Sequence, residues 1–114
     1  MAHGFAFIRK EKFPDELLDR QRWLGLINEM PELRLVEMVE GINPLTRSKT
    51  IIRVDGAELI CQGTRVGLFV WRNGEIAVDG LYSMFPMAQR IAQELGARVV
   101  DDAGDELLNV PDDD

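Results

Sequence analysis

Residues 65–79 read RVGLFVWRNGEIAVD, and this stretch decides the fold of the chain. Its centre, Asn73-Gly74, suits a two-residue type I′ turn, because both central residues of that turn have positive φ. The runs on both sides of the turn are rich in β-branched and aromatic residues, which favour strands. The stretch therefore predicts an antiparallel hairpin in which Arg72 pairs with Glu75.

A second dipeptide of the same kind, Asp55-Gly56, lies between two further apolar runs. It predicts a second type I′ hairpin for the same reason. Between the two predicted hairpins, residues 62–64 read QGT and suit a three-residue turn, which would place Ile60 opposite Val66. We therefore expect the middle of the chain to form a meander of consecutive antiparallel strands.

The predicted turns assign each side chain of the meander to one face of the sheet. The expected bed for the helices carries Ile52, Val54, Leu59, Cys61, Phe69, Trp71, Ile76 and Val78. The opposite face carries the ion pairs Arg53–Glu58 and Arg72–Glu75 and an apolar strip of Ile51, Ile60, Val66, Leu68, Val70 and Ala77. An uncovered strip of this size exceeds what a monomer usually exposes. It is either a binding surface for a second copy or another protein, or it is covered by a helix or a terminal strand.

Two amphipathic helices are expected, at about residues 14–29 and 84–95. Pro14 suits the first turn of the first helix, and Pro31 ends it. In the second helix Ser83 suits the cap and Gly96 the C-terminal stop. Further strands are expected at 5–9, 33–40 and 97–100. The predicted fold class is α+β: an antiparallel β-meander of about four to six strands, with both helices packed mainly on one face.

The charge of the chain is concentrated at its C-terminus. The sequence has 20 acidic and 13 basic residues, a net charge of −7. Residues 101–114 contain seven acids and no base: Asp101, Asp102, Asp105, Glu106, Asp112, Asp113 and Asp114. Residues 1–100 therefore hold 13 acids and 13 bases. We expect a single neutral domain at 1–100 and an acidic, flexible tail at 101–114, which either solvates the protein or contacts a basic partner.

Composition narrows the class of protein further. A hydrophobic fraction of 46% in 114 residues suffices for one core. A body without excess positive charge argues against binding to nucleic acid or an anionic membrane. The apolar runs are far shorter than the roughly 20 residues that span a bilayer. Cys61 is the only cysteine, so we expect a reducing compartment and a cytoplasmic location.

Few residues could carry a reaction. His3 is the only histidine and lies near the N-terminus, and Cys61 is predicted to face the helices as a buried structural thiol. One histidine and one cysteine do not make a structural zinc site, and no glycine-rich phosphate loop is present. We expect no catalytic residue, no metal and no cofactor, although an enzyme is not excluded.

Three further groups of residues could bind a ligand, although their patterns are weaker. Residues 101–106 cluster carboxylates without the spacing of a known calcium loop. Residues 46–50 form a basic polar loop that could take an anion. Asp79, Tyr82 and Arg98 could line a small pocket near the start of the second helix. Solvent exposure and helix capping account for each of the three without a ligand.

Two classes of function therefore stay open. The first is a small non-enzymatic intracellular protein that binds another protein, for example as an inhibitor, an immunity-like protein or an accessory subunit. The second is a small enzyme or ligand-binding protein with a pocket of carboxylates, Arg and Tyr. Residues 92–100, AQELGARVV, are of a kind common in small bacterial α+β proteins and identify no family.

Overall fold

The computed structural model describes residues 3–42, 45–81, 84–101 and 105. Six antiparallel strands form one sheet in the order β2-β3-β4-β5-β1-β6, and two helices pack on it, so the predicted α+β class is confirmed. The elements are β1 His3–Arg9, α1 Arg20–Glu29, β2 Leu33–Ile42, β3 Lys49–Cys61, β4 Thr64–Arg72, β5 Glu75–Leu81, α2 Phe85–Glu94 and β6 Arg98–Val100.

The hairpin at Asn73-Gly74 is confirmed. The two residues have φ of 51° and 89°, as a type I′ turn requires, and Arg72 pairs with Glu75. The next turn differs from the prediction, because it has two residues, Gln62-Gly63, with φ of 52° and 79°. The predicted three-residue turn is therefore wrong, and the register around it shifts by one residue.

The predicted hairpin at Asp55-Gly56 is also wrong. β3 runs through both residues without interruption and pairs with β2 on one side and with β4 on the other. A Cβ atom built on Gly56 would lie 1.8 Å from the carbonyl oxygen of Phe69 in β4. Glycine here permits a close approach of two strand backbones, which is the other common reason for a glycine inside a strand.

The core lies between the helices and one face of the sheet, which we call the inner face. Its centre is Phe69 of β4, fully buried and packed edge-on against Trp23 of α1 at 6.0 Å between ring centroids. Leu59, Ile76 and Val78 are buried on the same face, as predicted, and Trp71 packs against them half-buried. The side chains of residues 52–54 lie outside the described residues.

The first helix begins later than expected. α1 starts at Arg20 rather than near residue 14, because the Asp19 carboxylate accepts a hydrogen bond of 3.0 Å from the Gln21 N–H and caps it. Residues 11–16 form turns and a bend instead. The segment before the cap is held to the sheet by a 2.9 Å hydrogen bond from the Leu18 N–H to the Gly74 carbonyl.

The second helix agrees with its prediction. α2 carries Pro86 in its first turn, and Gly96 follows its end with a φ of 63°. Arg22 of α1 donates to Glu94 of α2 at 2.8 Å and so joins the two helices. Ser83, the predicted cap, lies outside the described residues. Neither described helix is long and apolar enough to cross a membrane.

Candidate protein-binding face

The face of the sheet opposite the helices, the outer face, carries a row of apolar side chains. The register places Leu68 and Val70 of β4, Ala77 of β5, Phe5 and Phe7 of β1 and Val100 of β6 there, with Ile60 of β3 beside them. We call these seven residues the outer strip. Phe5 is 47% exposed, and Ile60, Leu68, Val70 and Phe7 are half-buried, so part of the strip is open to solvent.

The structure places the six residues of the predicted strip in three groups. Ile60, Leu68, Val70 and Ala77 lie on the outer face, where the prediction put them. Val66 does not, because the register shift between Leu59 and Ile60 turns its side chain against the core. Ile51 is 68% exposed on the part of β3 that extends past its pairing with β4.

Phe5 and Phe7 were missed by the sequence analysis. β1 lies between β5 and β6, so its alternate residues continue the strip across the sheet. The two rings meet edge-on at 5.1 Å between centroids. Residues 5–8 read FAFI, and an uninterrupted apolar run of this length indicates a strand with two apolar faces. The position of that strand in the sheet was not readable from local pattern.

The outer strip is bordered by more positive than negative charge. Described strand residues on this face include five arginines, Arg9, Arg34, Arg65, Arg72 and Arg98, and three carboxylates, Glu58, Glu75 and Asp79. These five residues are called the outer-face arginines below.

Part of this charge is paired within the face. The Arg9 guanidinium donates to Glu75 at 2.8 Å and lies 4.8 Å from the centroid of the Phe7 ring. Glu58 accepts from Arg34 at 2.7 Å and lies 3.7 Å from Arg65. The predicted Arg53–Glu58 pair belonged to the hairpin at Asp55-Gly56, and it is wrong because that turn does not form. The outer face therefore combines apolar rings with arginines, the composition that marks the energetic centres of protein interfaces.

One polar cluster lies on the inner side of the sheet. The Asp55 carboxylate accepts two hydrogen bonds from the Arg20 guanidinium, one of them 3.0 Å long, and that guanidinium lies 5.7 Å from the centroid of a Trp71 ring. The hydrogen bond that the Arg20 guanidinium donates to Asp55 raises the pKa of Arg20 above its ordinary value. The cluster is solvent-exposed, and an ion pair that holds α1 against β3 accounts for it without a ligand.

The remaining candidates do not come together as a site. Asp79 pairs with Phe5, whereas Arg98 pairs with Arg9, so the two lie roughly 13 Å apart along β1. Tyr82 lies outside the described residues. The basic loop at 46–50 is closed by a 2.6 Å contact between two hydroxyls of its own, Thr46 Oγ1 and Ser48 Oγ. Within 3–42, 45–81, 84–101 and 105, no three His, Cys, Asp or Glu residues are grouped as metal ligands.

Of the seven acids in the tail, the structure describes two. The backbone N–H of Asp101 donates to the carbonyl of Asp105, and the N–H of Asp105 donates to the Asp101 carboxylate, both at 2.9 Å. The other five, Asp102, Glu106, Asp112, Asp113 and Asp114, lie outside the described residues.

Cys61 is exposed, which corrects the prediction of a buried thiol. It is the last residue of β3 and pairs with Thr64 across the Gln62-Gly63 turn. We therefore expect Cys61 to react fully with a thiol reagent such as Ellman's reagent without denaturant. A Cys61→Ser chain is the blank, and reaction only in denaturant would contradict the exposed position.

Comparison of this chain with protein-family models, with curated proteins and with solved structures found no match.

Proposed function

We propose that this chain is a small non-enzymatic intracellular protein that binds another protein through the open part of the outer strip. The observation that supports the proposal most is the row of Phe5, Leu68 and Val70, partly exposed and bordered by arginines on a face that carries neither helix. Apolar patches rimmed by polar residues mark interaction sites on globular proteins. The lone thiol of Cys61 is in keeping with a reducing compartment.

The charges of the outer face indicate the chemistry of the partner. Among the described strand residues named above, five arginines against three carboxylates give an excess of two positive charges. A partner with an apolar segment between acidic residues would match both features, because complementary charge speeds encounter and selects the partner. An inhibitor-like protein or an accessory subunit would both use such a surface.

The test compares two substitutions of similar exposure on opposite faces of the sheet. Phe5 is 47% exposed in the outer strip, and Leu35 is 52% exposed on the inner side of β2. The tagged full chain, Phe5→Asp and Leu35→Asp would each be used to isolate partners from the source cell. The affinity of an identified partner would then be measured by calorimetry.

We expect Phe5→Asp to weaken partner binding at least about tenfold, which is about 1.4 kcal/mol, because it puts a charge into an apolar contact bordered by Glu and Asp as well as Arg. Leu35→Asp should bind as the wild-type chain does. Equal weakening by both substitutions, or by neither, would contradict the proposal.

Light scattering of the purified chain at high concentration separates a foreign partner from a second copy. A mass of one chain agrees with the proposal. A mass of two chains that Phe5→Asp reduces to one would assign the outer strip to a homodimer instead.

A further inference from the structure

Two apolar residues of the outer strip are buried although both described helices lie on the other face. Val100 is 1% exposed and Ala77 is 5% exposed, and neither belongs to the core between sheet and helices. Phe7 lies between them in the register. β6 is an edge strand, so sheet neighbours flank Val100 on one side alone. The helices therefore do not account for the burial at this end of the strip, where the ring of Phe13 lies 4.9 Å from the Arg9 guanidinium.

The chain itself contains a segment of matching chemistry. Residues 106–114 read ELLNVPDDD and lie outside the described residues. Three apolar side chains, Leu107, Leu108 and Val110, stand between acidic residues on both sides. The outer face offers the complement, an apolar strip between arginines.

The position at which the described chain ends allows this segment to reach the strip. The two hydrogen bonds between Asp101 and Asp105 place Asp105 beside Asp101, the residue that follows β6. Five extended residues span roughly 17 Å, whereas three strand spacings, from β6 to β4, amount to about 14 Å. Residues 106–110 are therefore long enough to cross the outer face as far as Val70.

We propose that residues 106–110 dock on the outer face of their own chain, over Val100, Phe7 and Ala77, with the flanking acids among the outer-face arginines. Tethering favours this occupant, because a short linker gives the segment a local concentration in the millimolar range. Docking covers the β6 end of the strip and leaves Leu68 and Ile60 at the other end. A foreign partner that needs the whole strip has to displace the segment, a consequence that rests on the proposed function, whereas docking itself does not.

The docking is tested by nuclear magnetic resonance on the full chain, without any partner. Leu and Val methyl groups and Phe rings would be labelled, and nuclear Overhauser effects between them recorded. We expect effects from the methyls of Leu107, Leu108 and Val110 to the ring of Phe7. A sample that mixes differently labelled chains shows whether the contacts are within or between molecules. Contacts between chains alone would identify a second copy as the occupant, and that result or a lack of contacts would overturn the proposal.

Variants of the full chain supply the second readout. Leu107→Asp combined with Leu108→Asp should remove the contacts of Val110 with Phe7 and shift the resonances of Ala77. Asp113→Asn, which removes charge without touching the apolar residues, should keep both. Unchanged resonances of Ala77 in the double variant would contradict docking.

The competition with a partner is measured separately. If the docked form makes up nine-tenths of the molecules, the double variant should bind an identified partner about tenfold more tightly. Equal affinity would refute the competition and leave the docking and the binding surface to their own tests. Loss of partner binding on Phe5→Asp with methyl contacts intact would support both proposals.

Discussion

Replacement of Gly56 by alanine is expected to lower the free energy of unfolding by about 3 kcal/mol or more, at the upper end for overpacked sites. The added Cβ would lie 1.8 Å from the carbonyl oxygen of Phe69. That oxygen belongs to the backbone of a strand paired on both sides, so it cannot swing away as a flexible side chain would. Urea unfolding followed by circular dichroism measures the effect as a lower midpoint.

Gly25→Ala is the matched control for this substitution. Gly25 lies within α1, and a Cβ built there meets nothing within 4 Å. Alanine in a helix interior is favoured over glycine by roughly 0.5–1 kcal/mol, so this variant should be more stable than the wild-type chain. Equal stability of Gly56→Ala and the wild-type chain would contradict the close approach of the Gly56 and Phe69 backbones.

Truncation of Phe69 to alanine is expected to cost about 3–5 kcal/mol, because it removes a fully buried ring from the centre of the core. The cavity would lie against Trp23, whose indole packs edge-on against that ring and whose Nε1 is buried without a hydrogen-bond partner in the described part of the chain. Neither the helix nor the paired strand can close around so large a gap. The same urea titration measures the loss.

Val70→Ala is the control, since Val70 is the next residue along β4 and lies half-buried in the outer strip. We expect it to cost about 1 kcal/mol or less, because the methyl groups it removes are already partly in water. A similar cost for the two substitutions would contradict the placement of Phe69 in the core and of Val70 on the partly open outer face.

Local pattern was sufficient for much of the fold. Asn73-Gly74 specifies its hairpin within a few residues, because the positive φ that the turn demands is cheap for those residue types. α2 was equally predictable, since Pro86 and Gly96 mark the two ends of a single apolar stripe. The start of α1 could not be predicted from the sequence. Acidic residues favour the first turn of a helix, as at 15–16, and aspartate also favours the cap, as at Asp19.

Only part of the candidate site could be predicted from the sequence. The outer positions of β4 and β5 followed from the Asn73-Gly74 turn, and Leu68, Val70 and Ala77 lie where that register put them. The prediction for Val66 was wrong because the register shift between Leu59 and Ile60 leaves Val66 without a partner in β3 and turns its side chain against the core. Phe5 and Phe7 depend on pairing between distant parts of the chain, such as Phe7 with Ala77, which no local pattern encodes.

The two dipeptides Asp55-Gly56 and Asn73-Gly74 mark the boundary between what sequence determines and what tertiary structure decides. The sequence by itself determined an antiparallel sheet of apolar strands, one helical bed and the hairpin at Asn73-Gly74, because each of these depends on neighbours in the chain. Whether Asp55-Gly56 forms a turn or continues a strand depended on β4, whose backbone lies too close to position 56 for any residue but glycine. The placement of β1 between β5 and β6 likewise depended on long-range pairing, and it completed the outer strip.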